Sequence, residues 1–135
     1  MNRLTDLKFL FTAVAILEFF YFVTAMLPPS LIPLATGWNL NADGNWIVKI
    51  LGLSLATMGY IAWIFRKNPH IGIAKGLAAY QIASATMDWL MWIALKDEGI
   101  FGTPFAQKSV VVAIASHYLL GILLVIAINK PTKNG

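Results

Sequence analysis

Six polar side chains fall within stretches of the sequence that otherwise read as apolar helix: Glu18, Lys49, Gln81, Ser84, Asp88 and His117. Two carboxyls, an amine and an imidazole are the groups that carry protons or hold a polar head group in an apolar setting. A charged residue at the centre of a membrane-spanning helix costs about 2.5–3.5 kcal/mol on the insertion scale, so such residues call for a partner or a task. The sequence "ATMDWLMWIALKD", residues 85–97, shows the problem most plainly, with Asp88 between apolar and aromatic neighbours.

The setting follows from composition. Of 135 residues, 59% are hydrophobic and 12% charged, and the mean hydropathy is +0.71, a profile that belongs in a membrane. There is no cysteine, which excludes disulfides, thiolate metal sites and thiol nucleophiles. The formal charge of +4 comes from basic residues scattered at the ends of apolar runs, so nucleic acid is not an expected partner. The lipid bilayer is.

Four segments reach the roughly 20 residues needed to cross a hydrocarbon core: residues 9–27, 46–65, 75–95 and 109–129. The intervening stretches are rich in Pro, Gly and Asn, which end helices and make turns. The expected fold is all-α, one domain over residues 1–135, with four transmembrane helices in an up-down bundle. The first apolar run is nineteen residues long, longer than the core of a signal peptide, and is read as an uncleaved helix.

Seven Lys and Arg residues (Arg3, Lys8, Arg66, Lys67, Lys75, Lys130, Lys133) fall on the side of the two termini and the middle loop. The other two loops hold Lys96 and Lys108. The positive-inside rule then places both termini in the cytoplasm of a cell whose cytoplasmic (inner) membrane holds the protein. Trp46, Trp63 and Trp92 lie near helix ends, where indoles favour the interface. The outer loops carry Leu31, Ile32, Leu34, Trp38, Ile100, Phe101 and Phe105, and are expected to rest on head groups or to fold over the outer mouth of the bundle.

With helix direction alternating, a rise of about 1.5 Å per residue puts Lys49 roughly 5 Å, Asp88 roughly 10 Å, His117 roughly 12 Å and Glu18 roughly 14 Å below the outer surface. All four can therefore meet in the outer half of one bundle. At about 100° per residue, Lys49 shares a face with Gly52, Ala56, Gly59 and Trp63, where another helix can approach closely. Gln81, Ser84 and Asp88 form a polar stripe, opposite a small-residue stripe of Gly76, Ala79, Ala83 and Thr86 that suggests protein contact on two faces or a homo-oligomer. Glu18 aligns with Phe11, Ala15, Phe22 and Ala25. His117 flanks Ser109, Ala113, Ser116 and Leu120, with Gly121 one turn on.

Each residue has a structural reading beside a functional one. Lys49 either snorkels to the head groups or pairs with Asp88. Asp88 is an ion-pair partner or a neutral, hydrogen-bonded acid that lines a pocket. Glu18 makes an interhelical hydrogen bond or carries a proton. His117 is a hydrogen-bonded core residue or, with Gly121 leaving room, the axial ligand of a haem or chlorin. His70, in a loop, has no assigned role. HExxH, GxSxG, phosphate-binding glycine loops and histidine clusters are absent, so no catalytic and no metal-ligating residue is assigned and an enzyme has little support.

A first span ending in proline, a loop with "TGW", the glycine-punctuated "KILGLSLATMGYIAW" and two further spans give a layout that resembles the DoxX-like group of small four-helix membrane proteins over nearly the whole chain. The resemblance implies a four-helix membrane bundle and no particular substrate. A second resemblance, of "AILEFF" around Glu18 to the first span of the small multidrug resistance exporters, implies proton-coupled export of a cationic drug through Glu18. The long outer loops, the seven-to-two charge bias and Lys49 depart from that family. The function expected from the residues is a pocket in the outer half, formed by Glu18, Lys49, Gln81, Ser84, Asp88 and His117, for a lipid-like or amphipathic molecule, or an anchor for a partner membrane subunit.

Overall fold

A computed structural model describes residues 3–130; Lys133, counted above for topology, lies outside them. The described residues form helices α1 (Leu7–Ala25), α2 (Ile32–Thr36), α3 (Ala42–Phe65), α4 (Ile71–Leu95) and α5 (Pro104–Ile128), with single 3-10 turns at Arg3–Thr5 and Gly99–Phe101. α1, α3 and α5 are long and apolar enough to cross a membrane, so the chain is an all-α membrane protein. α4 matches α5 in length, at 25 residues, but does not join those three. It carries Gln81, Ser84 and Asp88, whose polar groups dilute its hydropathy.

The long helices begin two to five residues before the apolar runs do. Polar caps explain the difference. The Asp6 carboxylate accepts from Lys8 N, Asn41 Oδ1 from Gly44 N, His70 Nδ1 from Gly72 N and Thr103 Oγ1 from Ala106 N. Each satisfies a backbone N–H that the first helical turn leaves unpaired. Pro104 at the first position of α5 has no such N–H to satisfy.

The four long helices run up, down, up and down. α3 packs antiparallel along α1, with Gly59 against Glu18 and Phe19, and Gly52 against Ala25 and Met26. α5 packs antiparallel along α4, where Gly121 meets Ile82 and Gln81. A Cβ at Gly121 would stand 2.7 Å from Ile82 Cγ1, so a glycine is required for this approach. The two pairs join through α1, α4 and α5, and the core between them is Leu10, Phe11, Val14, Ala15, Ala62, Ala74, Leu77, Ala78 and Leu124. α3 and α4, consecutive in sequence, lie on different sides of the molecule and share little contact. Both ends of the described chain meet at one end of the bundle, where Lys130 Nζ donates to Thr5 Oγ1.

The opposite end is closed by its own loops. Ile32 and Phe101 are buried, and Trp38 packs against both outer core clusters, one built on Ala85, Phe101, Val110 and Ile114, the other on Ala25, Ile32 and Val48. Ser109 Oγ donates to Thr36 O at 2.6 Å. Gly37 has φ +78°, and a Cβ there would lie 2.6 Å from Ala106 N, so both its conformation and its closeness to α5 exclude a side chain. Of the two expectations for these loops, the one realised is folding over the mouth; Leu31 and Leu34 remain exposed toward the interface.

The small-residue stripe of α4 is not central in the bundle of this chain, the first of the two placements expected for it. Gly76, Ala79, Ala83 and Thr86 are exposed, and nothing lies within 4 Å of a Cβ built on Gly76. Within this chain the stripe meets only α5 at its edge, where Ala79 lines a groove with Val125 and Ile128 and Thr86 Oγ1 shares a 3.0 Å hydrogen bond with the Tyr118 hydroxyl.

Candidate functional site

Three helices deliver one polar group each to a common point inside the bundle. Glu18 on α1 and Gln81 on α4 are fully buried, and His117 on α5 keeps 5% of its surface. Gln81 Nε2 donates to Glu18 Oε1 at 2.5 Å. On its other side, Gln81 Oε1 meets His117 Nδ1 at 2.5 Å, and His117 Nδ1 stands 4.0 Å from Glu18 Oε1. A carbonyl oxygen has no proton to give, so His117 donates from Nδ1. That tautomer leaves Nε2 with the lone pair, and no hydrogen bond reaches Nε2 among the described residues.

The carboxyl is satisfied on one side only. Glu18 Oε2 is buried and has no hydrogen-bond partner among the described residues. A buried polar atom left unpaired costs about 1–3 kcal/mol, which makes such atoms scarce and informative. Close helix packing leaves little slack around it: a Cβ at Gly59 would stand 3.2 Å from Glu18 Cβ, and the tight contact at Gly121 holds α5 against Gln81.

Two tyrosines complete the surroundings. The Tyr21 ring lies 5.4 Å from the His117 ring and tilts 33° to it, and the Tyr21 hydroxyl shares a 2.9 Å hydrogen bond with Ser116 Oγ. Tyr80 presents an edge-on ring at 6.4 Å. Neither tyrosine stood out in the sequence. The signal was there for Tyr21, three residues from Glu18 and so on the same face of α1. Tyr80 gave a similar one, four residues before Ser84 and so at the border of the polar stripe.

Of the six residues singled out by sequence, Glu18, Gln81 and His117 are brought together, while Ser84 lies half-buried one turn further along α4. Asp88 is half-buried on the same helix and has no hydrogen bond or ion pair among the described residues. Lys49 lies elsewhere. Its Nζ donates to Ala25 O at 2.7 Å and to Leu27 O, carbonyls at the end of α1 that the helix itself leaves open. The expected pairing of Lys49 with Asp88 does not form, because α3 packs on α1 and α4 on α5. Lys49 is a helix cap, outside the polar cluster.

Two surface grooves lie away from the cluster. One of about 480 Å³ runs along α1 among Phe9, Thr12, Ala13, Ile16, Leu17, Phe20 and Leu120; it is an apolar valley open to lipid. No group of three or more His, Cys, Asp or Glu suited to a metal ion occurs among the described residues. Comparison of the chain with family models, with curated proteins and with solved structures finds no match.

Proposed function

We propose that this is a four-span protein of the cell membrane, with both termini in the cytoplasm, whose Glu18–Gln81–His117 cluster holds an amphipathic molecule by a hydroxyl or amine. The buried, unpartnered Oε2 of Glu18 carries the reading. A ligand donor in contact with it would convert a costly atom into a charge-assisted hydrogen bond, worth roughly twice a neutral one. His117 Nε2 offers a second acceptor nearby, and the rings of Tyr21 and Tyr80 supply apolar walls. The layout's resemblance to DoxX-like bundles agrees with this reading and adds no ligand.

α4 is taken as the fourth span because it lies alongside α5 over its whole length and turns its polar groups inward. The orientation rests on charge. The end that carries the termini holds Lys8, Arg66, Lys67, Lys75 and Lys130, whereas Asp43, Asp97 and Glu98 lie with Lys96 and Lys108 at the other. Because the chain has no cysteine, Asn39→Cys and Asn68→Cys give single labelling sites. An impermeant thiol reagent added outside intact cells is expected to label position 39 and spare position 68; the reverse pattern overturns the orientation.

The ligand is tested by purifying the protein in native lipid discs and identifying by mass spectrometry the small molecules that travel with it. One non-bulk-lipid species is expected with the wild type and not with Glu18→Leu. If the same species persists in Glu18→Leu, or if no species accompanies the folded wild type, the proposal fails.

A further inference from the structure

We infer that the groove between the start of α4 and the end of α5 is a site for one phospholipid with an anionic head group. The groove is about 290 Å³. Ala78, Ala79 and Ile82 of α4 line it together with Val125 and Ile128 of α5, and Lys75 and Asn129 stand at its polar end. From Lys75 to Ile82 is seven residues, so the groove runs about 10 Å along the helices. It exists because α4 places alanines where larger side chains would close the seam.

Its occupant follows from its surroundings. Beside lipid-facing helices a depression of this kind receives an acyl chain, since water finds no hydrogen-bond partner on an apolar floor. The mouth then selects the head group. Lys75 is exposed, and no acidic side chain lies within ion-pair distance of it among the described residues. Lys130, the next cation along α5, is engaged with Thr5, and Asn129 Nδ2 donates to Val125 O at 2.9 Å. Lys75 is left as the cation at the mouth.

The wider field has the same sign. At this end of the bundle Lys8, Arg66, Lys67, Lys75 and Lys130 face a single acidic side chain among the described residues, Asp6, which is already committed to capping α1. An apolar interhelical groove that opens on an unpaired lysine is complementary to a phosphodiester on an acyl chain, and a lysine near a membrane surface favours anionic lipid severalfold. The site lies at the opposite end of α4 from Asp88 and does not depend on what the Glu18 cluster binds.

The test is native mass spectrometry of the full chain released from detergent with equimolar phosphatidylglycerol and phosphatidylcholine of matched chains. The first bound lipid is expected to favour phosphatidylglycerol by about fivefold. Lys75→Gln should bring the two lipids to near parity, Lys75→Arg should keep the preference, and Ala79→Phe, which fills the groove, should lower retention of both. Lys67→Gln removes an exposed lysine at the same end, away from the groove, and should leave the preference intact. An unchanged preference in Lys75→Gln overturns the inference. So does an equal loss in Lys67→Gln, which would mean that general surface charge is at work.

Discussion

Gln81 sits 2.5 Å from Glu18 across the α1–α4 contact, although 63 residues separate them in sequence. One side-chain amide thereby fixes two helices at once, because its nitrogen satisfies the carboxyl while its oxygen takes the imidazole proton. A side-chain amide carries a donor and an acceptor on one rigid plane, so it can bridge a carboxyl oxygen and an imidazole N–H.

Gln81→Leu leaves both Glu18 Oε1 and His117 Nδ1 unpaired. The expected loss of stability is about 2–6 kcal/mol, from two buried groups at the usual cost of each. Thermal unfolding in detergent followed by circular dichroism reads it. Because the groups act as a unit, Glu18→Leu combined with Gln81→Leu should cost less than the sum of the two by at least about 1 kcal/mol. Strict additivity would mean that the contact contributes nothing.

Lys49 should behave as a cap independent of Asp88. Lys49→Met uncovers the carbonyls of Ala25 and Leu27 and is expected to lower stability by about 1–2 kcal/mol, with faster amide exchange around residues 25–27. Adding Asp88→Asn should change that cost by no more than about 0.5 kcal/mol, as expected for groups without shared partners. Strong coupling between the two would restore the ion pair that the geometry denies.

Gly121→Ala drives a methyl into Ile82, and overpacking of this kind costs about 1–3 kcal/mol. Ile82→Ala in the same chain removes the nearest clashing atom, Cγ1, and should recover part of the loss, while the 3.3 Å contact with Ile82 N keeps the recovery incomplete. Paired unfolding curves of the single and double variants give the answer.

Gly37→Ala tests the closed mouth. The substitution places a side chain at φ +78° and against the backbone of Ala106, and strain of this sort costs about 1–3 kcal/mol. The expected outcome is local: proteolytic cutting within residues 97–103 should rise well before global unfolding begins. Unchanged protection of that segment would show that the loops are held by something other than the Gly37 contact.

Much of the architecture was legible from periodicity. The all-helical class, the four long helices and the inward faces of Glu18 and His117 follow from apolar runs and helical phase, and estimates of depth put those two residues at one level. Phase tells which way a side chain faces and is silent on which helix it meets. That is why Lys49 and Asp88, at compatible depths on consecutive helices, looked like partners and are not. The stripe at Gly76 and Ala79 was ambiguous for the same reason, since small residues permit close approach without naming a neighbour. Tyr21 escaped notice because an aromatic in a span reads as ordinary apolar filling until its hydroxyl is seen on Ser116.

The near absence of contact between α3 and α4 bears on how the molecule is made. As the chain emerges, α1 and α3 can close on each other as an independent hairpin, and α4 with α5 as a second. Gln81 and His117 find each other within the later hairpin. Glu18 belongs to the earlier one and has no polar partner there, so its carboxyl waits unsheltered until synthesis is complete. Docking of the two halves is what brings the Gln81 amide to its Oε1, so the polar cluster forms only when both hairpins are in place.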